Sequence, residues 1–146
     1  MSGHTCLCGQ PPSRGVPADI RVLVVDDHPL VRATLAELLS DEDGLSVVGE
    51  CEDGSQVVEA TARLRPDVVL MDLAMPVMNG LAATEALRAV QPEPRIVLLT
   101  GEGSAARPAV EAAGADALVP KGTRANALLD CLRTVVSGCD CCPYCF

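Results

Sequence analysis

Short, nearly continuous apolar runs recur along this chain, and their pattern limits the fold more than any other feature. The first, Ile20–Val25, reads IRVLVV, and residues 67–71, 95–99 and 117–119 form similar runs. A strand that is apolar at consecutive positions is buried on both faces, as in a parallel sheet covered by helices. Residues 45–49 (LSVVG) form a shorter and more polar run, which predicts a fifth strand at an edge of the sheet.

The segments between these runs carry apolar residues three and four positions apart, which is the spacing of one face of an α-helix. The segment after the last run is the clearest case, because positions 128, 131, 132 and 135 are all apolar. One predicted helix differs from the others. Pro108 cannot stand in a helix interior, so we expect the fourth helix to be short and to begin near this proline.

Strand and helix thus alternate five times, which predicts an α/β fold with a five-stranded parallel sheet and helices on both faces. Parallel neighbours need a crossover connection, and right-handed crossovers place the connecting helices on one face or the other. The length of 146 residues suits a single domain. We expect that domain over residues 19–137, with tails at residues 1–18 and 138–146.

Composition excludes several classes of function. The chain has no tryptophan, and its one tyrosine and one phenylalanine stand in the last three residues, so the core must be aliphatic. A net charge of −9 without clustered basic residues argues against direct nucleic-acid binding. No secretory signal opens the chain, and no run reaches the roughly 18 apolar residues of a membrane helix. We therefore expect a soluble, cytoplasmic protein without membrane insertion.

Polar residues follow four of the five predicted strands. Asp26 and Asp27 follow the first strand, Asp72 the third, Thr100 the fourth and, after one proline, Lys121 the fifth. Lys121 is also the only lysine among 11 basic residues, and a lysine ammonium is not interchangeable with an arginine fork. Ligands of open α/β sheets bind at the carboxyl ends of the strands. We therefore expect these residues to form one site.

Three carboxylates crowded at one edge repel one another unless a cation neutralises them. Mg²⁺ prefers oxygen ligands and typically uses one or two carboxylates together with a substrate phosphate. Asp26, Asp27 and Asp72 therefore predict an Mg²⁺ site. His28 precedes a proline at the start of the first helix, and we interpret it as a capping or surface residue rather than a ligand.

Several motifs of the chain are similar to those of one known family. VVDDHP stands at residues 24–29, MDLAMPVMNG at residues 71–80 and LLT at residues 98–100, with GAD and Lys121 further on. Together they resemble the receiver domain of two-component response regulators, over about residues 19–137. The DDHP opening is similar to receivers that precede a helix-turn-helix DNA-binding domain. The resemblance implies a flavodoxin-like, doubly wound fold with strand order 2-1-3-4-5.

The resemblance also implies roles for individual residues. Asp72 would be the phosphoacceptor, taking a phosphoryl group from the phosphohistidine of a histidine kinase. Thr100 would hydrogen-bond the phosphoryl oxygens, and Lys121 would pair with the phosphoryl group. The implied ligands of Mg²⁺ are Asp26, Asp27, Asp72 and the backbone carbonyl of Ala74. The same site is expected to hydrolyse its own acyl phosphate slowly, without a separate substrate.

Four positions and the end of the chain depart from the family pattern. Ala74 and Glu102 stand where relatives tune the access of water, so the rate of dephosphorylation stays open. Gly101 is small and leaves the acceptor accessible. Leu118 stands where many relatives carry an aromatic switch residue, which leaves the coupling to an output open. No helix-turn-helix follows Val136, so a complete chain would not act on DNA by itself.

Six of the eight cysteines stand near the two chain ends: Cys6, Cys8, Cys139, Cys141, Cys142 and Cys145. Without a signal peptide, metal or redox chemistry explains them better than a disulfide framework does. If the chain ends meet, these thiols and His4 offer more than the four ligands of a tetrahedral Zn²⁺. A second metal site, a redox pair and reactive tails all remain open.

The leading hypothesis is a stand-alone receiver that accepts a phosphoryl group on Asp72 in an Mg²⁺-dependent reaction. Its donor would be a sensor histidine kinase or a histidine phosphotransfer protein. It would signal by docking to an unknown output protein or by phosphorelay, and a homodimer stays open. The alternative is a metal- or thiol-redox sensing module on a receiver scaffold. A third hypothesis is the remnant of a longer transcription regulator.

Overall fold

The computed structural model describes residues 19–75, 77–101, 105–137 and 144–146. Its centre is a sheet of five parallel strands: β1 (Ile20–Val25), β2 (Leu45–Cys51), β3 (Val68–Asp72), β4 (Arg95–Thr100) and β5 (Ala117–Pro120). All but β2 match the predicted runs to within one residue at each end. β2 continues to Cys51 because Glu50 and Cys51 still pair with the last two residues of β1.

Helices follow the strands in turn: α1 (Pro29–Ser40), α2 (Val57–Leu64), α3 (Gly80–Val90), α4 (Arg107–Ala113) and α5 (Ala125–Ser137). A single turn of 3₁₀ helix precedes α2. The prediction for α4 is confirmed, because this helix has only 7 residues and carries Pro108 in its first turn. A proline there loses no helical hydrogen bond. Gly114 caps the C-terminal end of α4, and its φ of 104° lies in the left-handed region that favours glycine.

The strand order is β2-β1-β3-β4-β5, which confirms the doubly wound, flavodoxin-like fold. The sheet separates two half-cores of buried apolar side chains. One contains side chains of α1 and α5, and the other contains side chains of α2, α3 and α4. Along β1, Val22 and Val24 belong to the first half-core, whereas Leu23 and Val25 belong to the second. Burial on both faces explains why the central strands β1, β3 and β4 are apolar at nearly every position.

The last three residues lie beside β5, within the stretch predicted as a C-terminal tail. Cys145 forms an antiparallel bridge with Ala117, so β5 has β4 on one side and residues 144–146 on the other. The buried apolar residues of the described chain are aliphatic or sulfur-containing, as the composition predicts. No helix in the described ranges combines the length and the apolar character needed to cross a membrane.

Candidate functional site

The carboxyl ends of β3, β4 and β5 lie next to one another at one edge of the sheet. In the sheet register, Asp72 stands beside Leu99 of β4, and Thr100 stands beside Pro120 of β5. The backbone N–H of Lys121 donates to the carbonyl of Thr100 at 2.8 Å, which fixes the residue after β5 against the end of β4. The strand-end rule therefore brings Asp72, Thr100 and Lys121 to the same edge.

Asp72 lies at the centre of this edge and is almost completely buried. Its side chain is 1% exposed, whereas the Lys121 side chain above it is 37% exposed. The ammonium Nζ of Lys121 donates to Asp72 Oδ2 at 3.0 Å, and the N–H of Ala74 donates to Oδ1 at 3.1 Å. Thr100 is buried at the neighbouring strand end. The chain's only lysine thus faces a buried carboxylate, and the compact ammonium of lysine suits a negative charge in a tight site.

The two carboxylates after β1 lie close to Asp72. Asp26 is fully buried, and its Oδ1 accepts the backbone N–H of His28 at 2.8 Å. The His28 ring nitrogen Nδ1 lies 3.2 Å from both Asp26 Oδ1 and Asp27 Oδ1. One potential ligand atom from each of these residues and from Asp72 falls within 4.8 Å of the others. The predicted acidic residues are therefore brought together.

Two carboxylate oxygens in this group fit a hard cation. Asp26 Oδ2 and Asp27 Oδ1 are buried and accept no hydrogen bond from the described residues, although His28 Nδ1 lies 3.2 Å from the latter. A buried charged oxygen without a partner costs free energy, so an ion that supplies the missing interaction stabilises the arrangement. Several carboxylate oxygens this close together fit Mg²⁺, which prefers oxygen ligands.

His28 and Arg32 belong to the surroundings of the acidic group. His28 occupies the N-cap position of α1, yet its ring contacts the carboxylates and makes no capping hydrogen bond. Arg32 Nη1 donates to the carbonyl of Asp26 at 2.7 Å, and its Nε donates to Glu50 at 3.2 Å. His28 follows Asp26 and Asp27 directly in the sequence, and this position could have predicted that its ring contacts their carboxylates. No motif marks Arg32, whose contacts depend on how α1 packs.

The residues next to the acceptor are small. Ala74 is exposed, and a Cβ atom added at Gly101 would meet no atom of the described residues within 4 Å. Leu118, at the position where relatives carry an aromatic residue, is buried in the half-core of α2, α3 and α4. Glu102 lies outside the described residues. Of the residues that the structure describes, none fills the space beside the Gly101 Cα.

Most of the terminal cysteines lie outside the described residues: Cys6, Cys8, Cys139, Cys141 and Cys142, together with His4. Cys145 is described and lies beside β5. Within the described ranges, the acidic group at the strand ends is the group suited to a metal ion, and it contains no cysteine. The Zn²⁺ and redox hypotheses therefore find no support there. At the end of β2, burial raises the pKa of the Cys51 thiol to about 11, so this thiol is protonated and unreactive at neutral pH.

Comparison with known proteins agrees with this geometry. Residues 22–133 match the response regulator receiver domain. Response regulator GacA of Pseudomonas viridiflava is 40% identical over 120 residues, which make up 82% of this chain and 56% of GacA.

Solved structures give the same result. A LuxR-family two-component response regulator from Aurantimonas sp. SI85-9A1 has a TM-score of 0.79 and 31% identity, covering 83% of this chain and 87% of its own. The isolated REC domain of RcsB from Salmonella enterica serovar Typhimurium has a TM-score of 0.74 and 26% identity, covering 83% and 91%.

The chain spans about half the length of the curated relatives it matches, and the shared part is the receiver region. The family match covers most of the chain, and the strand order and the acidic edge are those that the resemblance implied. The chain belongs to the receiver domain family of two-component response regulators.

Proposed function

We propose that this receiver accepts a phosphoryl group on Asp72 from the phosphohistidine of a sensor histidine kinase or a histidine phosphotransfer protein. One observation carries the proposal: a carboxylate that is 1% exposed lies 3.0 Å from the Lys121 ammonium and beside two further carboxylates. Family membership supports it. The REC domain of RcsB, which shares this fold, was solved in the presence of the phosphomimetic BeF₃⁻.

The proposed reaction needs little covalent chemistry from the protein. An Asp72 carboxylate oxygen attacks the phosphorus atom, a P–O bond forms, and the P–N bond to the donor imidazole breaks. The electron pair stays on the imidazole nitrogen, which takes up a proton from solvent. Lys121 offsets the added negative charge, and the Thr100 hydroxyl donates to a phosphoryl oxygen. Positioning and charge neutralisation supply most of the rate in such transfers.

Mg²⁺ would be held by Asp26, Asp27, Asp72 and the backbone carbonyl of Ala74. The buried oxygens Asp26 Oδ2 and Asp27 Oδ1, which accept no hydrogen bond from the described residues, support this assignment. Once bound, the ion neutralises negative charge that develops on the phosphoryl oxygens. The Lys121 ammonium acts from the β5 side, so the chain itself provides positive charge opposite the acidic pair.

After transfer, we expect the acyl phosphate to be hydrolysed slowly at the same site or passed on to a histidine. The signal would leave by phosphorylation-dependent docking to an output protein in the cytoplasm. Action without an attached output domain and formation of a homodimer stay predictions. The rate of dephosphorylation would be set at Ala74 and Glu102, the positions where relatives tune the access of water.

The acceptor is tested by incubating the protein with acetyl phosphate and Mg²⁺ and measuring the intact mass. We expect one added phosphoryl group in the wild type and none in the Asp72→Asn variant, because an amide is not a nucleophile for phosphorus. Chelation of Mg²⁺ with EDTA should abolish the adduct. An adduct of equal yield in the Asp72→Asn variant would show that Asp72 is not the acceptor.

The role of Lys121 is tested by the Lys121→Arg variant, which keeps the positive charge. The planar fork of arginine cannot occupy the position of the ammonium, so we expect phosphorylation at least about tenfold slower. An exposed cation elsewhere provides the matched control: Arg63→Lys on α2 should phosphorylate at the wild-type rate. Equal rates for Lys121→Arg and wild type would exclude a specific role for the ammonium.

A further inference from the structure

The outer edge of β5 is covered by the short segment of residues 144–146. The N–H of Leu118 donates to the carbonyl of Tyr144 at 3.1 Å, and the N–H of Phe146 donates to the carbonyl of Asp116 at 2.9 Å. The outermost strand of a sheet presents such groups unpaired to solvent, where they are a template for another strand. Here the chain pairs them with its own backbone.

Arg107 also contacts the same segment, through its guanidinium group. This residue begins α4, and its Nη2 donates to the carbonyl of Cys145 at 3.1 Å. The guanidinium carbon lies 4.6 Å from the centre of the Phe146 ring, which is a cation–π contact. A planar guanidinium can donate to a carbonyl and lie flat against a ring at the same time. The segment is therefore clamped between β5 and the first turn of α4.

The side chains of the segment contact both half-cores. Tyr144 and Cys145 pack against the half-core of α1 and α5, whereas Phe146 packs against the half-core of α2, α3 and α4. All three residues are half-buried. Because the consecutive residues Tyr144 and Cys145 contact the same half-core, the side chains do not alternate strictly as in a regular strand. The two backbone hydrogen bonds with β5 are what extend the sheet by one short element.

We infer that the β5 edge and Arg107 form a binding site for an extended peptide strand that carries an aromatic side chain over the guanidinium. Residues 144–146 are its intramolecular occupant. Main-chain pairing provides affinity in such strand addition, and the side-chain pockets provide specificity. Any peptide from outside must displace the attached segment, whose effective concentration is high because it belongs to the same chain. The inference does not depend on phosphorylation of Asp72.

Hydrogen exchange of the full chain tests the occupancy. The Leu118 amide should be protected in the wild type, and the Arg107→Ala and Phe146→Ala variants should each exchange it about tenfold faster. Amides of the interior strand β4 should keep their rates. The control variant Arg63→Ala removes an exposed arginine of α2 and should leave Leu118 unchanged. An unprotected Leu118 amide in the wild type, or unchanged rates in both test variants, would overturn the inference.

A peptide titration tests the site itself. The probe is a dye-labelled peptide with the sequence of residues 143–146 and serine in place of its cysteine, followed by fluorescence polarisation. We expect tighter binding to the Phe146→Ala chain, whose own segment competes less, than to the wild type. Binding should be lost when Arg107→Ala is added to that variant. Equal binding by all three chains, equal binding of a scrambled peptide, or no binding to the Phe146→Ala chain would rule out the site.

Discussion

Asp26 and Asp27 leave oxygens without hydrogen bonds in a group that already contains Asp72. Such crowding lowers the stability of the fold while it prepares a cation site, because like charges repel when little solvent separates them. The arrangement resembles the general case in which a functional site is strained and the rest of the structure compensates. Removing one charge should therefore affect stability and ion binding in opposite directions.

We expect Asp27→Asn to raise the free energy of unfolding by about 1 kcal/mol in EDTA, because it removes a repulsive charge without changing shape. Added Mg²⁺ should stabilise the wild type through binding to the folded state, and should stabilise the variant less. Urea unfolding with and without Mg²⁺ measures both effects. The control is Asp43→Asn, an exposed carboxylate between α1 and β2. A variant less stable than the wild type in EDTA would contradict this account.

The residues of the site were predictable to different degrees. Asp72 and Lys121 could be assigned to one site from the sequence, because the carboxyl ends of all strands of a parallel sheet lie at the same edge whatever the details of packing. The contacts of His28 and Arg32 could not, since they depend on the direction in which α1 leaves β1. Sequence position fixes which strand end a residue occupies, but it does not fix where a long side chain on a neighbouring helix will reach.

At the scale of the elements, the start of α3 is pressed against the end of β3. A Cβ atom added at Gly80 would lie 2.6 Å from the carbonyl oxygen of Asp72 and 2.9 Å from the Cα of Leu73. Both are backbone atoms, so they cannot rotate away as a flexible side chain would. Asn79 caps the same helix by accepting the N–H of Ala82 at 2.8 Å. The helix therefore begins at a fixed place beside the acceptor.

Gly80→Ala should lower the free energy of unfolding by about 2 kcal/mol, the usual cost of forcing an extra methyl group into a packed site. It should also slow phosphorylation, because the end of β3 must shift. Gly101→Ala is the matched control, since its methyl group would meet no described atom within 4 Å, and the free energy of unfolding should change by less than about 0.5 kcal/mol. Denaturant unfolding measures the free energy of unfolding of both variants. Equal losses in the two variants would show that the close approach at Gly80 is relieved elsewhere.

The elements themselves were largely predictable, because burial on both faces gives strands an unbroken apolar run that helices do not share. Pro108 correctly predicted a short α4. The C-terminal end of β2 was less predictable. Glu50 and Cys51 look like the start of a loop, and they remain in the strand because β1 offers partners for their backbone. The residue at which a strand ends is decided by backbone pairing with its neighbour, and the sequence of one segment does not show that pairing.

At the scale of the whole molecule, the sheet divides an aliphatic interior into two half-cores, and residues 144–146 touch both. The sequence predicts a tail in this region, because three residues are too few to show a period of either helix or strand. Their placement results from pairing with the edge of β5, which is distant in sequence. The residues of the segment itself therefore do not predict it. Edge strands attract partners, and here the partner belongs to the same chain.

Tyr144 lies in this segment and is the only tyrosine of a chain without tryptophan. Ultraviolet emission of the native protein therefore reports on one place, the β5 edge, whereas circular dichroism reports on all the helices. We expect both signals to give the same midpoint in urea, because the segment packs on the half-core that includes β5 and α5. Emission that changes at lower urea would mean that the segment detaches before the domain unfolds. The protein thus carries a built-in fluorophore at the edge of its sheet, and labelling is unnecessary.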